Sequence, residues 1–146
     1  MEWPFLHDML IALNFPPHLI KVIMVCLTSS QYSIMLNGKP SDTIKPRRGL
    51  RQGDPMSPLL FVIGMEYLSR TMMVIGSDKD FYYHPRCRKM LLNHLSFADD
   101  LMLFCTGDLK STQLLCKGLN SFAATSGLCA NLSKSAIYMA LSLIHI

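Results

Sequence analysis

The five cysteines (Cys26, Cys87, Cys105, Cys116 and Cys129) contain no C-x-x-C pair, and their number is odd. This spacing argues against a zinc ribbon or a disulfide scaffold, so reduced thiols in an intracellular protein are the expectation. No basic stretch follows Met1, and Met1-Glu2-Trp3-Pro4 does not read as the start of a signal peptide. Uninterrupted apolar runs of membrane length are also missing. Leu19 to Leu27 is broken by Lys21, and Leu59 to Ile75 by Glu66 and Arg70, so a soluble chain without a membrane partner is expected. No internal repeat or interdomain linker is visible.

What the sequence does contain is apolar material. Half of the 146 residues are hydrophobic and 16% are charged, which supports a packed core and argues against disorder. The length fits one domain or part of one. Fourteen basic residues against ten acidic ones leave a net charge of +4. That excess permits a nucleic-acid partner without demonstrating one.

Along the chain, Pro4 opens an expected helix to about Leu13, with Phe5, Leu6, Met9, Leu10 and Leu13 on one face. Asn14-Phe15-Pro16-Pro17 ends it, and a second helix covers His18 to Thr28. Gln31 to Leu36 reads as a strand turning at Asn37-Gly38, with Pro40 weakening the return. Ser57-Pro58 forms an N-cap and N1 pair for a helix to about Ile75, and Gly76-Ser77-Asp78 breaks it. Asp108 is the expected N-cap of a last helix ending at Ser126, with Gly127 as its C′ residue. This order of elements predicts an α+β domain with an antiparallel sheet.

Two segments carry the chemistry. The first is Leu95-Ser96-Phe97-Ala98-Asp99-Asp100-Leu101-Met102-Leu103-Phe104, two short apolar runs flanking adjacent carboxylates. Asp-Asp at a hairpin tip reads equally as a solvated turn or as a hard-cation site on a core hairpin. The second is a loop in which Lys45, Arg47, Arg48 and Arg51 fall within seven residues, with Gly49 and Gly53 allowing close backbone approach and prolines stiffening the way into a helix. Guanidinium groups fork onto phosphates, yet a short charge run is more often a solvated loop. Phe81-Tyr82-Tyr83-His84-Pro85-Arg86-Cys87-Arg88-Lys89 mixes aromatics with cations. The preferred reading there is structural, with rings covering a sheet edge and charges left wet. His84 and Cys87 lack two further ligands and receive no metal assignment.

Taken together, these segments resemble reverse transcriptases, and most nearly the non-LTR, LINE-type retrotransposon family. Gly49-Leu50-Arg51-Gln52-Gly53-Asp54-Pro55-Met56-Ser57-Pro58-Leu59-Leu60-Phe61 resembles motif B of that family. Phe97-Ala98-Asp99-Asp100 resembles motif C, with Phe where many relatives carry Tyr. Ser126-Gly127-Leu128-Cys129-Ala130-Asn131-Leu132-Ser133-Lys134-Ser135 is similar to the segment around motif D. The resemblance covers residues 1–140. The last six residues, 141–146, resemble the translated end of a transposase-based sequencing adapter and are treated as a non-native tail.

The resemblance implies a polymerase palm with part of the fingers, truncated at both ends, and RNA-templated DNA synthesis from a DNA primer and dNTPs. It implies two Mg²⁺ ions, with Asp99 as metal ligand and Asp100 supporting it. Arg51, Gln52, Gly53 and Asp54 would line the nucleotide and template, and Lys45, Arg47 and Arg48 would meet phosphate. Lys134 matches the motif D lysine, whose proposed role is to protonate departing pyrophosphate; a plain surface lysine is nearly as good a reading.

One departure weighs against activity. The family's motif A places another catalytic Asp just before a Glu-Trp that resembles Glu2-Trp3, and Asp8 and Asp54 are poor substitutes. The expectation is a fragment inactive by itself, poorly soluble, and lacking thumb and endonuclease. The alternative is a non-catalytic nucleic-acid-binding remnant or a domesticated piece. A placement nearer group II intron or telomerase enzymes is disfavoured by the Arg51-Gln52-Gly53-Asp54-Pro55 and Ser126-Gly127-Leu128 forms. By resemblance, the location is the nucleus or a cytoplasmic ribonucleoprotein.

Overall fold

Prolines set the first two helices. Helix α1 (Trp3–Ala12) begins with Pro4 in its first turn, where a missing N–H breaks no helical bond. It ends ahead of Asn14, which adopts a left-handed φ of 57°. Helix α2 (Pro17–Thr28) starts on Pro17 in the same way. The computed structural model describes residues 1–139 in this manner, and the expected non-native tail, 141–146, lies outside the described residues.

The chain divides into two compact units, the first made of Met1–Tyr67 with Thr125–Gly127, the second of Leu68–Ala124 with the residues from Leu128 onward. The first unit is built on the apolar faces of α1 and α2. Leu6, Leu10, Ile20, Ile23, Leu27 and Leu60 form one buried cluster, with Phe15, Leu50 and Met56 packed around it. Each such side chain contributes roughly 1.5–3 kcal/mol when fully withdrawn from water.

A short ribbon follows. Strands β1 (Met35–Leu36) and β2 (Lys39–Pro40) pair antiparallel around Asn37-Gly38, with Met35 opposite Pro40. The strand expected over Gln31–Leu36 is thus reduced to two residues plus an isolated Tyr32–Ile44 bridge. At the next pair Ser41 N–H still donates to the Ile34 carbonyl at 2.7 Å, but the Ile34 N–H turns to the Ser41 hydroxyl at 2.9 Å instead of a backbone carbonyl, which accounts for the shortening.

Helix α3 (Ser57–Gly76) is the longest element and runs from the first unit into the second. Ser57 opens the helix rather than standing before it. Its hydroxyl donates to the Arg51 carbonyl at 2.6 Å, and the Met56 N–H is satisfied by Asp54 Oδ1 at 2.8 Å. With a mean hydropathy of 1.4, α3 is long and apolar enough by length and composition alone to cross a membrane. Glu66 and Arg70 interrupt it one turn apart, and an arginine at the centre of a spanning helix costs about 2.5–3.5 kcal/mol.

The second unit packs the end of α3 against helix α4 (Leu109–Ser126), with Leu68, Met72, Phe81, Leu115 and Phe122 buried. Asp108 caps α4 as expected, accepting from the Ser111 N–H at 2.8 Å and from the Thr106 hydroxyl. The Thr106 bond, then the Ser111 N–H, lower the Asp108 pKa to about 2. Gly127 closes α4 at a φ of +70°. The remaining elements are strands β3 (His94–Phe97) and β4 (Asp100–Leu103), an antiparallel pair. Helices with two small antiparallel sheets make an α+β chain, as expected.

Candidate functional site

The expected hairpin forms, but its turn falls one residue before the Asp pair, so that Asp100 opens the second strand. His94 lies opposite Leu103, Leu95 opposite Met102, Ser96 opposite Leu101, and Phe97 opposite Asp100. That leaves Ala98 and Asp99 as a two-residue turn. Ala98 takes a φ of +50°, a region that costs a residue with a Cβ roughly 1–2 kcal/mol. Backbone strain of this kind gathers at functional sites. Asp99 and Asp100 are both exposed, and neither carboxylate has a hydrogen-bond or ion-pair partner among the described residues.

The base of the hairpin is held by a buried polar chain. Asn93, only 2% exposed, donates from Nδ2 to the Met72 carbonyl on α3. Its Oδ1 is therefore the acceptor for His94 Nδ1 at 2.8 Å, which makes His94 Nε2 the acceptor for the Ser69 hydroxyl at 3.0 Å. Burial lowers the His94 pKa, so the neutral ring that this pattern requires is also the favoured one. Phe104 N–H then donates to the Asn93 carbonyl at 2.8 Å, prolonging the ladder. The sequence offered no signal for this clamp beyond two polar residues in an apolar run.

The expectation of a core hairpin needs correction. Phe97 is 80% exposed and Leu95 and Met102 about half exposed, because the face they share is covered by no further layer among the described residues, while His94, Leu101 and Leu103 on the other face are half-buried. An isolated pair of strands is marginal in water.

The basic loop belongs to the first unit. Gly49 and Gly53 sit at φ of +90° and +84°, the conformations glycine alone adopts at little cost. The loop is tied to the chain start. Gly49 N–H donates to the Met1 carbonyl at 2.8 Å, Trp3 Nε1 donates to the Gly49 carbonyl at 2.8 Å, and Arg48 meets Glu2 at 3.3 Å. The Arg51 guanidinium lies 6.0 Å from the Tyr32 ring centre, a cation–π distance. Trp3, Tyr32, Arg48, Arg51 and Gln52 line a cavity of about 280 Å³. Trp3 and Tyr32 were not legible as site residues, since Trp3 reaches Gly49 across 46 positions and Tyr32 comes from a separate segment to meet Arg51.

The candidate residues thus fall into groups. Lys45, Arg47, Arg48, Arg51, Gln52, Gly53 and Asp54 stand on the loop of the first unit; Asp99, Asp100 and Lys134 belong to the second. Asp54 spends one carboxylate oxygen on the Met56 N–H. Lys134 is exposed, on a 3₁₀ turn (Leu132–Lys134) capped by Asn131 Oδ1. Among the described residues no group of three His, Cys, Asp or Glu side chains is placed to hold a metal ion.

Comparison with known proteins gives the chain a family. Residues 1–143 match the family described as reverse transcriptase (RNA-dependent DNA polymerase). The chain belongs to that family, as a reverse transcriptase domain of the non-LTR retrotransposon kind. It is 32% identical over 130 residues to the retrovirus-related Pol polyprotein from type-2 retrotransposable element R2DM of Drosophila melanogaster, covering 88% of this chain and 11% of that protein. It is 33% identical over 81 residues to the Pol polyprotein from type-1 retrotransposable element R2 of Popillia japonica, covering 56% of this chain and 12% of that one. An uncharacterized mitochondrial protein of Arabidopsis thaliana is 41% identical over 69 residues, 45% of this chain and 55% of its own length. The chain therefore spans about a tenth of the Pol polyproteins it matches.

Proposed function

We propose that this chain is the palm, with part of the fingers, of an RNA-directed DNA polymerase that extends a DNA primer on an RNA template. The observation that carries this reading is the pair of unpartnered carboxylates at the hairpin tip, in a chain of the reverse transcriptase family. Hard oxygen donors without protein partners fit Mg²⁺, which takes one or two carboxylates and completes its shell with water and substrate phosphates. Bound Mg²⁺ would lower the charge on the triphosphate and favour attack of the primer 3′-hydroxyl on the α-phosphate.

The chain's own residues do the rest. Asp99 and Asp100 hold the cation, and the Asn93–His94–Ser69 clamp fixes the strand that carries them. Arg51 and Gln52 face the nucleotide and template from the 280 Å³ cavity, while Lys45, Arg47 and Arg48 take backbone phosphate. Lys134 is the proton donor to departing pyrophosphate. Since the described residues offer no third carboxylate beside Asp99 and Asp100, the 146-residue chain alone does not complete the reaction.

Mn²⁺ is the probe for this site. Titrated into the isotopically labelled chain, it should broaden the amides of residues 98–101 first, and Asp99→Asn with Asp100→Asn should abolish the effect. Broadening centred elsewhere would overturn the assignment. Primer extension on an RNA template should give no product above an Asp99→Ala control, and clear synthesis would refute the claim that the chain alone is inactive.

A further inference from the structure

Between α3 and β3, residues 84–92 close into a turn tied by its own backbone. The His84 carbonyl accepts from Cys87 N–H at 2.8 Å and Arg88 N–H at 3.0 Å, and the Cys87 carbonyl accepts from Met90 at 3.1 Å and Leu92 at 3.2 Å. Arg86 N–H donates to His84 Nδ1 at 3.3 Å, and Leu91 is held at a left-handed φ of 50°. On this scaffold stand Arg86, Arg88 and Lys89, all exposed, none with a hydrogen bond or ion pair from its side chain among the described residues.

No acidic residue lies between Phe81 and Leu92, and the carboxylate of Asp80 is taken by Lys110 at 3.0 Å. The basic loop of the first unit differs: there Arg48 is paired with Glu2 and Arg51 lies over Tyr32. Like charges within four residues repel, and no carboxylate among the described residues is paired with them. Next to them Tyr82 is 56% exposed although its backbone is pinned on both sides, by the Ser111 hydroxyl and by Thr106. Phe81 and Tyr83, by contrast, pack edge to face at 5.0 Å, so the structural reading of this segment holds for those two rings.

We propose that the Arg86–Lys89 turn is a nucleic-acid contact separate from the basic loop: its three cations hold consecutive backbone phosphates, and the Tyr82 ring offers a stacking surface for a base of single-stranded RNA. This rests on the polymerase reading above only in taking the polyanion to be nucleic acid. A turn whose backbone is already tied loses little backbone freedom on binding, and an exposed ring beside it stacks on any base.

Fluorescence anisotropy of a labelled oligouridylate with the 146-residue chain, over about 50 to 200 mM salt, tests it. Arg86→Ala, Arg88→Ala and Lys89→Ala together should weaken binding and reduce the log K against log salt slope by about 2, at roughly 0.7 per single-strand phosphate. Arg86→Lys with Arg88→Lys should keep the slope, and Tyr82→Leu should weaken binding without changing it. Far-UV circular dichroism verifies that these surface variants stay folded. An unchanged slope and affinity in the triple alanine variant, with binding lost on changing Arg47, Arg48 and Arg51 to Ala, overturns the turn as a contact and leaves the polymerase reading standing. Wild-type chain with no salt-dependent binding overturns both.

Discussion

Gly118, inside α4, stands where the end of α3 comes closest within the second unit. A Cβ built there would overlap Ile75 Cδ1 and lie 3.3 Å from Met72 Cε and 3.5 Å from Thr71 Cγ2. Gly118→Ala sets two effects against each other. Alanine is favoured over glycine inside a helix by about 0.8–1.0 kcal/mol. Forcing a methyl into a packed contact costs about 1–3 kcal/mol. The clash wins or nearly ties, so the variant should be less stable by up to about 2 kcal/mol. Ile75→Val alone removes the offending Cδ1 and costs about 0.5–1.5 kcal/mol as a small cavity.

Combined, the two changes should not add. With Cδ1 gone the new methyl has room, and the helix-propensity gain reappears. The double variant should lie within about 1 kcal/mol of wild type, with a favourable coupling of about 1–3 kcal/mol. Urea unfolding followed by far-UV circular dichroism on all four chains of the cycle measures this. Additivity within about 0.5 kcal/mol, the behaviour of independent sites, would show that Gly118 is not needed for the approach of α3.

Two pH responses follow from the caps and clamps. The Asp108 pKa is lowered to about 2 by the Thr106 hydroxyl and the Ser111 N–H, so its contribution to stability is full above the unfolded carboxylate value and is lost as pH falls through about 2. Asp108→Asn should flatten that acid limb in a urea-unfolding series between about pH 5 and 2. His94 is held neutral by burial with a lowered pKa, so stability is intact above the unfolded imidazole value and declines as pH falls below about 6.5. His94→Gln should remove that decline, and an unchanged slope would show that the ring is not enclosed in the Asn93–Ser69 clamp.

Much of the fold was legible because its punctuation is local. Pro4, Pro17, Asp108 and Gly127 act on the backbone within a turn of themselves, and the helices they bound came out within a residue or two of expectation. The hairpin was legible for a related reason, two short apolar runs flanking adjacent carboxylates, but its register was not: the turn takes Ala98 and Asp99 and leaves Asp100 in the strand. The Gln31–Leu36 strand came out shorter because the Ile34 N–H takes the Ser41 hydroxyl in place of a backbone partner, a competition that the order of residues does not decide. Exposure of Phe97 escaped the pattern as well, since apolarity records what a side chain avoids and not whether another layer is there to cover it.

For the candidate site, the residue types were readable and their partnerships were not. Two adjacent carboxylates, a glycine-bounded basic loop and a cation-rich turn are visible in the order of the residues, because charge and backbone freedom are properties of single positions. Their engagement is a matter of long-range contact. Arg48 meets Glu2 and Trp3 donates to Gly49 across 46 positions, while Asn93 reaches Met72 across 21. The sequence by itself determined where the helices begin, that a hairpin carries the two carboxylates and which segments carry charge. Only the tertiary structure decided that Asp99, Asp100, Arg86, Arg88 and Lys89 are left unpaired among the described residues, since a charge is free or satisfied according to what the rest of the chain folds against it.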